Sequence, residues 1–193
     1  MNVSQTALPG VLLVEPQVFR DGRGAFMESW NARRYAEAGI DLPFVQDNVS
    51  RSAKGVLRGL HLQHPRAQGK LVQVLLGEVF DVAVDLRPDS PSFRKWVAVL
   101  LSADNARQLW IPPGFHHGFC VTSEEALFAY KCTDFYAPGA EAGVAWDDPE
   151  IGIEWPTAEP TVSQKDAALP RLAALPDGYL PPLEAYPVSR GAE

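Results

Sequence analysis

"KLVQVLLGEVFDVAVDLRP", residues 70–88, decides the fold class. Apolar and polar residues alternate in part along it, valine recurs, and Gly77–Glu78 interrupts it where two strands can turn before Pro88 ends the run. Working outward, "FRKWVAVLLS" (93–102), "ARQLWIPPGFHHGFCVTS" (106–123) and "EEALFAYKCTDFYAP" (124–138) supply further strands separated by turn residues. They lack the alternating long helices of a doubly wound parallel sheet, so an antiparallel barrel or sandwich is expected. Upstream, "GVLLVEPQVFRDGRGAFMESW" (10–30) reads as strand, turn and strand, and "NARRYAEAG" (31–39) as a short helix stopping at Gly39. Near the C-terminus "SQKD" (163–166) can cap and open another short helix before a proline-containing end.

The chain has 193 residues, enough for one domain with a sizeable core, and a formal net charge of −7. No broad basic face is available to a phosphate backbone, so a nucleic-acid partner is not expected. No apolar run is long enough for a bilayer, and "MNVSQTALPG" (1–10) lacks the basic start and apolar core of a signal peptide. Cys120 and Cys132 read as buried small hydrophobes rather than a disulfide framework, which fits a cytoplasmic setting.

The chemistry concentrates in "GVLRGLHLQH" (55–64). On a strand, His61 and Gln63 share one face, with His64 at or beyond its end. His61 is open to three readings: a neutral core histidine, a metal ligand paired with His64 or with His116 and His117, or a proton carrier. The metal set is poor, because adjacent His116 and His117 point to opposite sides of a strand and Gln63 is a weak ligand. Proton chemistry accounts for more of the neighbours. A carboxylate can fix a histidine tautomer, and a lysine can stabilise charge developing on oxygen. Lys70 is such a lysine or a rim residue with a solvated head. Tyr130 is a proton donor or an apolar ring with a bonded tip. Arg58 and Arg23 suit diphosphate oxygens or solvent, and Gln46 and Asn48 suit sugar hydroxyls or a strand end.

Taken in order, "DGRGAFMES" (21–29), "QDNVSRSAKGVLRGLHLQ" (46–63), "QGKLVQVLLGEVFDVAVDLR" (68–87), "WIPPGFHHGFCV" (110–121), "YKCTDFY" (130–136) and "WDDPEIGIEWP" (146–156) resemble the successive signatures of the RmlC-like nucleotide-sugar epimerases. The resemblance implies a mainly β, cupin-type antiparallel jelly roll with short peripheral helices. It implies a single domain over 1–193, with residues 1–30 contributing to a homodimer and 157–193 forming a C-terminal arm. The implied substrate is a dTDP-4-keto-6-deoxyhexose, epimerised at C3 and C5 without metal or cofactor.

By motif, His61 resembles the general base, Asp166 its orienting carboxylate, Lys70 the group stabilising the C4 enolate, and Tyr130 the acid that reprotonates C5. His117 matches a residue near the sugar and Arg58 a diphosphate contact. Arg23, Phe26, Glu28, Gln46, Asp47, Asn48, Glu141 and Lys165 match further nucleotide or sugar contacts, Arg23 and Phe26 reaching across the dimer. His116 departs from the family pattern, which commonly has alanine there. A nucleotide-sugar binding protein and a metal-dependent cupin oxygenase remain alternatives.

Overall fold

The structure, a computed structural model, describes residues 1–186. Thirteen strands are named within these residues. The six-stranded sheet runs in the order β1 (Asn2–Gln5), β2 (Leu12–Glu15), β10 (Gln108–Ile111), β7 (Lys70–Leu76), β12 (Glu125–Cys132) and β5 (Gln46–Ala53). The five-stranded sheet runs β13 (Glu141–Gly143), β6 (Leu57–Gln63), β11 (His116–Val121), β8 (Glu78–Val84) and β9 (Trp96–Ser102). β3 (Val18–Asp21) and β4 (Gly24–Met27) form a separate hairpin. Every pairing within the sheets is antiparallel. The mainly antiparallel β expectation is thus met. The arm expected over 157–193 is described only through Tyr186, and residues 187–193 fall outside the described residues.

The turn expected at Gly77–Glu78 is present, but it does not close a hairpin. β7 and β8 belong to different sheets, so the chain crosses between layers there. Gly77 has φ +76°, and a Cβ on it would lie 1.9 Å from the Glu125 carbonyl oxygen, so the crossing requires glycine.

Alternation turns one face of each sheet inward. Val72, Val74, Leu109 and Phe128 of the six-stranded sheet pack against Val79, Ala83, Phe119 and Val121 of the five-stranded one. Each such buried side chain contributes about 1.5–3 kcal/mol relative to exposure. The outer face of the six-stranded sheet is partly covered by the segment carrying α1 (Ala32–Glu37), whose Tyr35 packs with Leu12, Val14, Leu71 and Trp110. Asn31 caps α1 by accepting the Arg34 N–H, and Ser163 caps α2 (Gln164–Ala167) by accepting the Asp166 N–H.

One irregularity shapes the site. Between β11 and β6, His117 faces His61, whereas Phe119 faces Arg58. Strict alternation would set Arg58 and His61 on opposite faces of β6. The slip inserts an extra residue and aligns both with inward-facing partners.

Candidate active site

His61 and Asp166 meet although 105 residues separate them, with His61 Nε2 2.8 Å from Asp166 Oδ1. The Asp166 side chain is 6% exposed and that of His61 45%, so the carboxylate is enclosed while the imidazole is half open to solvent. Burial pushes the Asp166 carboxyl up, but the hydrogen bond and charge of His61, with the Gly59 N–H and Ser163, outweigh it and hold it below the usual value. An ionised carboxylate only accepts, so His61 Nε2 carries the hydrogen, and in the neutral ring Nδ1 presents the lone pair. The ring is therefore oriented as a base.

His117, across the strand pair from His61, bonds through Nε2 to Asp81 Oδ2 at 2.9 Å. Its ring stacks over Phe128 of the opposite sheet at 6.1 Å between centroids. Lys70 is buried at the start of β7 and has no hydrogen-bond partner among the described residues. Burial pushes its ammonium down from the ordinary lysine value, against the smaller opposing influence of Cys132 and Asp81. The rim alternative for Lys70 is excluded by its enclosure. Tyr130 lies one diagonal step away, opposite Asn48 on one side and Val72 on the other. Burial raises its phenol above the usual value, assisted by Cys132 and opposed by the charge of Arg58, so at neutral pH it holds its proton. An imidazole thus belongs to the five-stranded sheet, and a buried amine and a phenol to the six-stranded one.

Arg58 bonds through Nε and a terminal nitrogen to Ser52 Oγ, at 3.2 and 3.1 Å, bridging the two sheets. Gln46 Nε2 donates to Asn48 Oδ1 at 3.0 Å, and Asn48 Nδ2 donates to Cys132 Sγ at 3.6 Å, which sets both amides. Glu141 pairs with Lys165 beside His61, and Asp47 pairs with Lys131 at 2.9 Å on the outer side. Arg23, Phe26 and Glu28 are not brought to this cluster within one chain. Arg23 and Phe26 stand exposed on the β3–β4 hairpin, where Arg23 pairs with Asp21, and Glu28 bonds Asn31 and Arg34. The groove of about 540 Å³ bordered by Trp30, Phe44 and Lys131 touches Gln46 and Asp47 but none of His61, Lys70 and Tyr130.

His116 pairs with Val84, on the face of β11 opposite His117, and is fully buried. Burial, reinforced by the charges of Lys70 and His61, pushes it down to about 3, so it is a neutral buried ring. Asp81 and Ser52 escaped sequence reasoning. Asp81 had a readable signal, since alternation in "EVFDVAV" places it on the same face as Val79 and Ala83. Cys120 and Cys132 are free and buried, as expected. No group of three His, Cys, Asp or Glu side chains suited to a metal occurs among the described residues. No helix of the described residues is long and apolar enough to cross a membrane.

The sequence profile of dTDP-4-dehydrorhamnose 3,5-epimerase matches residues 5–174. The dTDP-4-dehydrorhamnose 3,5-epimerase of Shigella flexneri is 60% identical over 168 residues, 86% of this chain and 93% of that protein. The crystal structure of RmlC from Legionella pneumophila Philadelphia 1, a dTDP-6-deoxy-D-glucose-3,5-epimerase in complex with dTDP-4-keto-L-rhamnose, superposes with a TM-score of 0.91. It is 52% identical, covering 94% of this chain and 97% of its own. The dTDP-4-dehydrorhamnose 3-epimerase of Streptomyces niveus is 38% identical over 187 residues, 96% of this chain and 90% of that protein. With a profile spanning residues 5–174 and a relative 60% identical over most of both chains, this chain belongs to the dTDP-4-dehydrorhamnose 3,5-epimerase family.

Proposed function

We propose that this chain converts dTDP-4-dehydro-6-deoxy-D-glucose into dTDP-4-dehydro-L-rhamnose by inverting C5 and C3 through enolates. The C4 ketone makes the hydrogens on both neighbouring carbons acidic. His61 Nδ1 takes the C5 proton, the C–H electron pair forms the C4–C5 double bond, and the carbonyl pair moves onto O4. Lys70 stabilises that oxyanion, and the Tyr130 hydroxyl returns a proton to the opposite face of C5. At C3, His61 removes the proton through the same O4 enolate, and return of a proton to the opposite face completes the inversion. Substrate and product have the same oxidation level, so no redox cofactor enters the balance, and the oxyanion is held without a metal.

The observation that carries this reading is the His61–Asp166 pair, 2.8 Å apart, on the sheet that packs against the one carrying Lys70 and Tyr130. Arg58 takes the diphosphate, His117 lies near the sugar, and Gln46, Asp47, Asn48, Glu141 and Lys165 contact nucleotide or sugar. The two sheets are read as a cupin-type jelly roll forming one domain over 1–193. Phe26 is 71% exposed and Arg23 is likewise outside the cluster, which supports a homodimer in which residues 1–30 reach the partner's site. The exposed Val49 and Leu75 on the uncovered outer face of the six-stranded sheet support the same assembly. Two unpaired buried cysteines suit a reducing compartment, the cytoplasm.

NMR of dTDP-4-dehydro-6-deoxy-D-glucose with the protein in deuterated water tests the reaction. Deuterium entry and inversion at both C3 and C5 are expected. Inversion at C3 alone would assign the narrower reaction named for the Streptomyces niveus relative. Absence of exchange by folded protein would overturn the reading in favour of a binding protein.

A further inference from the structure

We infer that Tyr186, in the C-terminal arm, is a positioning residue that pins the two segments leading into Lys70 and His117. The inference rests on the roles read above for those two residues. Its Oη lies 3.1 Å from His64 Nδ1 and accepts the Ala67 N–H at 3.4 Å. Both belong to the segment joining β6 to β7, just before Lys70. The Tyr186 ring meets His64 edge-on, with centroids 5.8 Å apart. On its other side lies the turn that precedes β11. Gly114 there has φ +93°, and a Cβ on it would approach the Tyr186 Cβ to 2.7 Å, so the turn is shaped around this ring.

The backbone of Tyr186 is anchored as deliberately as its side chain. Arg87, with its side chain 2% exposed, donates to the Tyr186 carbonyl at 2.9 Å while its Nε and a terminal nitrogen each reach Asp85 at 2.8 Å. The same guanidinium lies 4.2 Å over the Phe115 ring, two residues before His117. A single residue of the arm therefore joins the entrance of β7, the entrance of β11 and a buried ion pair. The segment before β7 has backbone bonds only at its ends, His64 N–H to the Ala140 carbonyl at 2.8 Å and Thr133 N–H to the Gly69 carbonyl at 3.0 Å, so side-chain bonds limit the excursions of its middle. A reacting group displaced by about 1 Å can lose on the order of 100-fold in rate. The family profile ends at residue 174, so Tyr186 itself lies outside the part of the chain that the profile describes.

Tyr186→Phe keeps the ring against Gly114 and removes only the hydroxyl. Hydrogen exchange of residues 64–69, followed by mass spectrometry, should accelerate in the variant. Turnover should fall about tenfold or more with KM nearly unchanged. The alkaline limb of the kcat profile should move to higher pH, because water admitted beside Lys70 relieves the burial that lowers it. The other groups facing that amine, Cys132, Asp81 and His116, are untouched. His64→Phe, which removes the same bond from the other side, should slow turnover too, and the double variant should be no worse than Tyr186→Phe alone.

Unchanged exchange, kcat and alkaline limb in folded Tyr186→Phe would overturn the inference, as would additive losses in the double variant. If Tyr186→Phe does not fold, His64→Phe decides by the same three readouts. An inactive wild-type protein would instead refute the epimerase reading, while exchange in residues 64–69 would still decide whether Tyr186 holds that segment.

Discussion

Replacing Asp166 by asparagine preserves the shape of the His61 pair and removes its charge. As His61 takes a proton, imidazolium and carboxylate become an ion pair. At an effective dielectric near 20, charge centres about 4 Å apart interact by about 4 kcal/mol. The His61 side chain is 45% exposed, so roughly half to all of that is retained, about 2–4 kcal/mol. At about 1.4 kcal/mol per tenfold, Asp166→Asn should slow proton removal about 30- to 700-fold. The assay is the initial rate of deuterium entry at C3 and C5, with dTDP affinity and circular dichroism as controls; affinity should remain within about twofold if binding is separate from proton removal. A folded variant exchanging within threefold of wild type would refute the orienting role. Stability adds a second reading. The folded-state value of Asp166 lies below the ordinary 3.8, so its contribution is present above that pH and is lost as pH falls through the folded value. The stability difference between wild type and Asp166→Asn should shrink in acid, measurable from thermal midpoints.

Lys70→Met should cost about 2.7–4 kcal/mol of transition-state stabilisation, a loss of about 100- to 1,000-fold in kcat. The same variant should melt no lower than wild type at neutral pH, because an enclosed cation without a hydrogen-bond partner is removed; its relative gain should narrow as Lys70 deprotonates in alkali, and an early melt would refute this. Tyr130→Phe should impair C5 inversion more than hydrogen exchange, read from the NMR product ratio, and an unchanged ratio would count against Tyr130 as donor. Gly77→Ala should lower the urea midpoint by the equivalent of about 2 kcal/mol or more, since its Cβ would meet the Glu125 carbonyl at 1.9 Å with φ +76°; an unmoved midpoint would contradict the packing at the crossing.

The strands around residues 70–138 were legible because alternation is a local property of the chain. The same holds for the Ser163 cap, which bonds an N–H three residues away. Gly77 was legible as a turn, but its destination was not, because a glycine permits a sharp bend without specifying which sheet receives the next strand. The residue types of the site were visible in "GVLRGLHLQH" and "GKLVQV", and the family resemblance assigned them roles. Composition and spacing alone left His61 open among core, metal and proton chemistry.

The sequence by itself determined most of the strands between residues 57 and 132, the position of the two short helices, and which side chains have the acid–base chemistry; the short β1 and β13 escaped it. Only the tertiary structure decided that Arg58 and His61 both align with inward-facing partners, that Asp166 reaches His61 across 105 residues, that Asp81 holds His117, and that His116 is buried on the face of β11 opposite His117. It also separated Arg23, Phe26 and Glu28 from the cluster within one chain. The division has one physical cause. Capping and alternation follow from neighbours a few bonds away, whereas register, sheet exchange and carboxylate placement depend on how distant strands share one buried core.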